Sequence, residues 1–184
     1  MKNLENYKAI NEFISSWLKV GTVIMAAFFS ITEYLEHKES EQVKLTLKYV
    51  ERYNSNKMLD MRTELSLKLD EENKALISTL SDSSLSADEL NKKYSQLILL
   101  IIEKHKLAVN LKTLIGFHEE VVLCVDSTLC NEQVAKDFFT IDAQELFRGF
   151  YPYICEERRK WKNNRIGQRI EAFYNKSDGN ACSA

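Results

Sequence analysis

The sequence predicts an all-α protein in which an amino-terminal transmembrane helix continues into a helical bundle. Only one proline and five glycines occur in 184 residues, so few positions interrupt a helix. No stretch sustains the period-two alternation of half-buried strands. The 20 residues from Phe13 to Thr32 contain one charge, Lys19, and a helix of that length rises about 30 Å, the thickness of the bilayer core.

The charge balance excludes one broad function class. The chain has 25 basic and 27 acidic residues, a net charge of -2, and therefore lacks the overall positive field of a dedicated nucleic-acid binder. Its length suits one bundle with an appended segment. We predict an amino-terminal segment with its transmembrane helix at 1–35, a cytoplasmic bundle at 36–176 and a flexible tail at 177–184.

A narrow stripe of polar and small side chains follows one face of the first helix. Its members are Ser15, Lys19, Thr22, Ala26, Ser30 and Glu33. They recur at intervals of three and four, so they share a face. Small residues four apart let helices approach closely, and a charge on that line avoids lipid if it faces another helix or an aqueous lumen. The stripe predicts a ring-shaped homo-oligomer, although small residues are common enough in membrane helices for chance to explain it.

Basic residues flank the predicted span unequally. Lys2 and Lys8 precede it, and four basic residues follow within 20 positions: Lys38, Lys44, Lys48 and Arg52. The positive-inside rule assigns the richer side to the cytoplasm. We therefore expect a single-pass protein of the bacterial inner membrane with a cytoplasmic carboxyl-terminal domain. A soluble bundle with the first helix in its core is the alternative.

The bundle is predicted from breakers and caps. The first helix continues without a breaker to Asn54, and a second follows at Lys57–Leu69. The serine-rich stretch 70–86 predicts a loop. Its last residue, Ser86, forms a capping-box pattern with Glu89 and opens the third helix.

The fourth helix has the clearest core pattern of the chain. The apolar seam steps by four and three through Leu107, Leu111, Leu114, His118, Val121 and Val125, as in a helical bundle. A histidine on such a seam is more often a core residue than a catalyst, and both interpretations remain open for His118.

The last helices are predicted as a short amphipathic piece at 132–139 and a long final helix. A capping-box pattern of Asp142 and Glu145 opens this final helix, which is expected to kink at Pro152 and to reach about residue 175.

The cysteines are expected to be free. Cys124, Cys130, Cys155 and Cys182 form no CxxC pair and no metal-ligand spacing with histidine, and thiols are the usual state in a reducing cytosol. We expect no metal and no cofactor. No phosphate-binding glycine loop, nucleophile elbow or other catalytic pattern is present, so the chain is not expected to be an enzyme.

One stretch near the carboxyl end is strongly basic. "RRKWKNNRIGQR" holds six basic residues in 12, with a tryptophan among them: Arg158, Arg159, Lys160, Trp161, Lys162, Arg165 and Arg169. Cations beside an aromatic ring suit RNA, and equally the acidic headgroups of a membrane. The alternative is a solvated helix end that pairs locally with Glu156 and Glu157.

Several segments carry a family resemblance. The membrane helix followed by "TLKYVERYNSNKMLDMR", together with "FHEEVVLCVDSTLCNEQVAKDFF" and "FRGFYPYICEERRKW", resembles the small transmembrane accessory protein of type VI-B CRISPR loci. The resemblance implies a homo-oligomeric membrane pore with a helical domain similar to the HEPN nucleotide-binding fold. It also implies a functional link to an RNA-guided, RNA-targeting nuclease in antiphage defence.

The chain departs from HEPN ribonucleases in one respect. They place a histidine four to six residues after an arginine, and no arginine here has that spacing to His37, His105 or His118. His118 and Arg148 are the best candidates for a remnant site. The expected function is a pore that permeabilises or depolarises the inner membrane, and the alternative is a membrane-anchored RNA-binding or ribonuclease domain.

Overall fold

The structure, a computed structural model, describes residues 2–81, 85–174 and 182, with the backbone alone at 2–20, 23 and 79. The described residues form seven helices and no strand, which confirms the all-α prediction. They are α1 (Lys2–Tyr53), α2 (Asn56–Glu71), α3 (Asn73–Leu80), α4 (Ala87–Lys104), α5 (Ala108–Asp126), α6 (Glu132–Trp161) and α7 (Gln168–Tyr174).

The chain divides into two compact units, Met1–Glu41 and Gln42–Ala184. The first unit consists of the larger part of α1, which is unbroken to Tyr53 as predicted. Within the fully described part of the chain, no helix is both long and apolar enough to cross a membrane. The predicted span Phe13–Thr32 begins outside that part, because the side chains of 2–20 and of residue 23 are not described.

The second unit has its core around α5. The predicted seam residues Leu107, Leu111, Leu114 and Val121 are buried, which confirms the seam, whereas Val125 is only partly buried. Helices α4 and α6 also contribute buried side chains, including Ile98, Ile101, Phe139 and Phe147. Because buried residues lie on several sides of α5, that helix is enclosed rather than packed along a single stripe.

Helix α6 differs from the prediction at its start. It runs without interruption from Glu132, where the Asn131 side chain accepts a hydrogen bond from the Val134 N–H at 3.0 Å. The predicted capping box at Asp142 is therefore wrong. No helix-breaking residue precedes Asp142, and its carboxylate instead lies 3.4 Å from Nη1 of Arg62. The kink predicted at Pro152 is confirmed, with non-helical dihedrals at Phe150 (φ -121°, ψ 18°).

The end of α6 also differs from the prediction. The helix stops at Trp161, because Lys162 takes a left-handed conformation (φ 48°), and α7 begins after a second positive φ at Gly167 (φ 68°). The connecting turn is held by Arg158, whose Nε donates to the carbonyl of Ile166 at 2.6 Å. A single helix to residue 175 was therefore wrong.

The stretch 70–86 contains more structure than predicted. Helix α3 occupies Asn73–Leu80, so the predicted loop is wrong over those residues. The capping box of Ser86 and Glu89 at the start of α4 is confirmed.

The four cysteines form two disulfides, so the expectation of free thiols was wrong. Cys124 pairs with Cys130 and Cys155 pairs with Cys182, with Cα atoms 5.2 and 5.3 Å apart. The first pair meets because the turn after α5 folds back, and the Cys130 N–H donates to the Cys124 carbonyl at 3.1 Å. This return of the chain, and not cysteine spacing, brings the sulfur atoms together.

Candidate functional site

The polar stripe lies on the exposed surface of α1 where its side chains are described. Thr22, Ala26, Ser30 and Glu33 are all exposed, and the Ser30 hydroxyl donates to the Ala26 carbonyl at 2.9 Å. That bond satisfies the hydroxyl within its own helix. The side chains of Ser15 and Lys19 lie outside the described residues.

Large apolar side chains lie beside the stripe on this helix. Six of them are between 56 and 62% exposed: Ile24, Met25, Phe28, Phe29, Ile31 and Leu35. At about 100° per residue they share an arc of about 160° of the helix circumference, next to the stripe. No other part of the described chain covers this apolar surface.

Most of the predicted basic segment is exposed at the end of α6 and in the turn that follows. The exposed members are Arg159, Lys160, Trp161, Lys162, Arg165 and Arg169. Arg158 is instead buried, and its Nη2 lies 3.1 Å from Oε2 of Glu171. It fastens α7 to α6 and does not contribute to the exposed basic surface. Arg159 pairs with Glu156, as the solvated-helix alternative expected.

Trp161 is exposed yet held in place. The residue is 61% exposed, and its indole N–H donates to Oε2 of Glu157 at 3.0 Å. The same oxygen lies 2.8 Å from Nζ of Lys112 on α5. Burial opposes the ionisation of Glu157, but the bonds from Lys112 and Trp161 outweigh it and lower its pKa. The carboxylate therefore orients both side chains.

A cleft of about 670 Å³ lies beside Trp161, between α5 and the corner that joins α6 to α7. Its apolar lining includes Ile115, Ile154 and Ile166, and its polar lining includes Lys112, Glu157 and Arg165. The basic pattern of the sequence indicated Trp161 and Arg165 but not the cleft, because Lys112 and Ile115 come from a helix about 50 residues away in the sequence.

Glu119, on α5, lines the same cleft and contacts the start of α7. It accepts the Arg169 backbone N–H at 3.1 Å, and its other oxygen lies 3.8 Å from Nη1 of Arg169. Burial raises the pKa of Glu119, although the backbone N–H groups of Ile170 and Arg169 and the Arg169 charge act against the increase. Its bonds to α7 give it a structural role in closing the corner.

His118 lies in an aromatic cluster at the centre of the bundle. It is fully buried, its ring centroid is 5.5 to 6.1 Å from four other rings, and neither ring nitrogen has a hydrogen-bond partner. The neighbouring rings are those of Tyr53, Phe117, Phe139 and Tyr174. Burial lowers the pKa of His118 to about 4, so the ring is neutral at pH 7.

The structure does not join His118 to Arg148. Helices α5 and α6 pack together, but Arg148 is exposed and His118 is enclosed by rings. A substrate phosphate could not touch both. The arginine nearer to this cluster is Arg62, whose guanidinium lies over the Tyr53 ring at 3.9 Å. Among the fully described residues, no group of acidic, histidine and cysteine side chains is arranged to hold a metal.

The chain belongs to the DUF4760 family: residues 20–177 match this family, which is described as a domain of unknown function. No curated protein and no solved structure matches the chain. The family description assigns no activity.

Proposed function

We propose that the protein is a membrane-embedded homo-oligomer, anchored through α1 and carrying a helical domain on one side of the bilayer. One observation carries the proposal: the large apolar side chains between Ile24 and Leu35 are exposed in the isolated chain. A soluble helix normally turns such residues onto its own domain. These residues have the chemistry of a lipid-facing surface.

The cost of leaving this surface in water is large. Burial of one large apolar side chain contributes roughly 1.5–3 kcal/mol. Six such residues amount to on the order of 10 kcal/mol, comparable with the stability of a whole domain. Lipid, or lipid together with further copies of α1, would recover this free energy. The predicted membrane span, from Phe13 to Thr32, also includes residues 13–20. These residues lengthen the span on the amino-terminal side of Ile24 and contain Lys19.

The stripe supports assembly through α1. Thr22, Ala26 and Ser30 present small side chains on one line, which allows close helix contact within a membrane. Lys19 shares that line in the sequence, and in a ring it would bring several ammonium groups around one axis. Water, anions or Glu12 would then have to offset their repulsion, so such a passage would favour anions or resist opening.

The test is whether the protein is an integral, ring-forming membrane protein. It should remain in the membrane pellet after carbonate washing, and detergent-solubilised particles should appear as rings by electron microscopy. A chain released by carbonate would contradict the anchor. A chain that stays in the membrane but runs as a monomer in detergent at every load would contradict the oligomer.

For the orientation, we keep the cytoplasmic side indicated by the basic residues that follow the span. The two disulfides favour the opposite side, because disulfides persist mainly in oxidising compartments. Protease treatment of intact spheroplasts distinguishes the two orientations. A cytoplasmic bundle should be protected from the protease until the membrane is opened. Digestion of the bundle in intact spheroplasts would show that it lies on the opposite side.

The resemblance to the CRISPR accessory protein extends the proposal to antiphage defence. In this extension the oligomer, with its HEPN-like domain, permeabilises or depolarises the inner membrane when a partner RNA-guided nuclease is triggered. A potential-sensitive dye should report depolarisation only when both proteins and the target RNA are present. Equal depolarisation without the nuclease would contradict this link.

A second candidate function is RNA binding by the exposed basic segment. The observation that favours it is a held, exposed Trp161 ring among exposed cations, with Nζ of Lys160 5.8 Å from the ring centroid. Such a ring can stack on an unpaired base while cations contact phosphates.

RNA binding by the basic segment is tested by reversing the charge of its exposed residues only. Lys160→Glu, Lys162→Glu and Arg165→Glu together should abolish binding of a single-stranded RNA and leave the oligomer size unchanged. The matched control is Lys92→Glu with Lys93→Glu on the exposed surface of α4. Equal RNA binding by wild type and the triple variant would contradict this candidate.

A further inference from the structure

We infer that the cleft beside Trp161 is a binding site for a small aromatic anion, a flat ring system that carries one phosphate or carboxylate. This site lies wholly within the second unit and goes beyond the membrane assembly proposed above. The inference rests on the size of the cleft, its apolar lining, a fixed aromatic wall and an unpaired cation.

The cleft has the dimensions and lining of a small-molecule site. Its volume of about 670 Å³ falls within the roughly 300–1,000 Å³ typical of such sites. Ile115, Ile154 and Ile166 supply an apolar lining, and Gly116 leaves part of the α5 wall without a side chain. A Cβ built at Gly116 would meet no heavy atom within 4 Å. The space beside this glycine is therefore open to a ligand.

Trp161 provides a preorganised aromatic wall. Its N–H is fixed by Glu157 at 3.0 Å, and Glu157 is in turn held by Lys112 at 2.8 Å. The turn that begins at Lys162, with its left-handed φ of 48°, ends the helix directly after the tryptophan. A ring that is already oriented loses little conformational entropy when a ligand stacks on it. A flat aromatic partner uses this surface better than an aliphatic one.

The charges of the cleft indicate the sign of the ligand. Lys112 is balanced by Glu157, and Glu119 is balanced by Arg169. Arg165 also lines the cleft, and its guanidinium has no carboxylate partner in the described part of the chain. Because Arg169, which lies outside the lining, already pairs with Glu119, Arg165 is the lining cation that remains available, and a planar guanidinium binds phosphate or carboxylate through two parallel hydrogen bonds.

Two sources could supply this chemistry, an aromatic carboxylate or a nucleoside phosphate, and the latter could be free or part of an RNA strand. Isothermal titration calorimetry on the full-length protein in detergent should test 1-naphthoate, 5′-AMP and a single-stranded RNA. Adenosine and inorganic phosphate, the two halves of 5′-AMP, serve as the half-ligands. Binding of 1-naphthoate or 5′-AMP at least tenfold tighter than of either half-ligand would support the site, and the better of the two would identify the source.

Variants then locate the binding. Gly116→Leu should fill the cleft and reduce affinity at least tenfold, whereas Gly149→Leu, another helical glycine with open space at its Cβ, should leave it unchanged. Trp161→Ala and Arg165→Glu change exposed residues, so they test the site even if Gly116→Leu fails to fold. Each should also weaken binding at least tenfold.

Three results would overturn the inference: no binding of either small anion at millimolar concentration, equal binding of adenosine, or unchanged affinity in Trp161→Ala and Arg165→Glu. RNA binding without binding of either small anion would also overturn the cleft as a site, while leaving RNA contact by the exposed segment intact.

Discussion

Two apolar helical stretches of this chain have opposite environments. On α5, Leu111, Phe117 and Val121 are at most 1% exposed, whereas on α1 Ile24 and Phe28 are each 62% exposed. Similar side chains therefore serve different purposes. Helix α5 is enclosed by its neighbours and organises a core, while the α1 stretch remains exposed among the described residues. Apolar composition alone does not distinguish a core helix from one whose apolar surface is exposed.

The largest expected effect comes from placing charges on the uncovered stretch. Ile24→Lys combined with Phe28→Lys should release the protein from membranes into the soluble fraction, because each lysine near the centre of a span costs about 3 kcal/mol. The melting temperature of the helical domain should not change. The matched control, Leu100→Lys with Leu123→Lys, alters exposed leucines of the second unit and should leave the protein in the membrane. Retention of the Ile24 and Phe28 variant would show that α1 is not the anchor.

The reciprocal change weakens the enclosed helix and leaves the proposed anchor on α1 unaltered. Leu111 is fully buried, so Leu111→Ala should lower the free energy of unfolding by about 2–5 kcal/mol through lost burial and a cavity. Urea titration of the detergent-solubilised protein measures the effect. Leu100→Ala, at a 62% exposed position on α4, should lower it far less. Equal effects of the two variants would show that the α5 seam is not the core.

Acid should affect the enclosed helix through His118. Because burial lowers the folded-state pKa to about 4, below about 6.5 in the unfolded chain, the unfolded state binds more protons between these values. Stability should fall as pH drops from 7 to 4, with His118 accounting for on the order of 3 kcal/mol. His118→Leu should lose this part of the pH dependence, as measured by urea midpoints at pH 7 and pH 4.5.

The control for this pH dependence is Phe139→Leu, which alters the same aromatic cluster without changing a titrating group. It should lower the unfolding free energy by a similar amount at both pH values. If His118→Leu keeps the full wild-type slope, the acid sensitivity comes from other groups.

The smallest expected effect comes from removing the charge of Lys19 on the polar stripe. Lys19→Leu removes one charge and keeps the bulk, so the protein should stay in the membrane while ion flux through reconstituted vesicles changes in size or selectivity. Phe28→Leu, on the apolar part of the surface, should change neither. If Lys19→Leu leaves both flux and phage protection unaltered, Lys19 is an interfacial residue and the lumen assignment of the stripe is wrong.

Local signals were sufficient for several elements of the fold. The seam of α5, the capping box of Ser86 and Glu89, and the kink at Pro152 follow from interactions within a few residues. The predictions failed where contacts between distant residues determine the local structure. Asp142 pairs with Arg62 on α2 and caps no helix. Arg158 holds the corner after α6 through Ile166 and Glu171. The exposed basic residues were identified from the sequence, but the cleft beside them was not, since α5 supplies one of its walls.

The sequence by itself determined that the chain is helical and where most of its helices begin, because propensity, capping and periodicity act over one or two turns. It also determined that the stretch from Phe13 to Thr32 is nearly uncharged. Only the tertiary structure decided that the cysteines pair, that His118 is enclosed without a hydrogen-bond partner, and that Trp161 and Arg165 border a cleft with α5. These features depend on how helices pack and turns fold back, which joins residues far apart in the chain and leaves no local pattern.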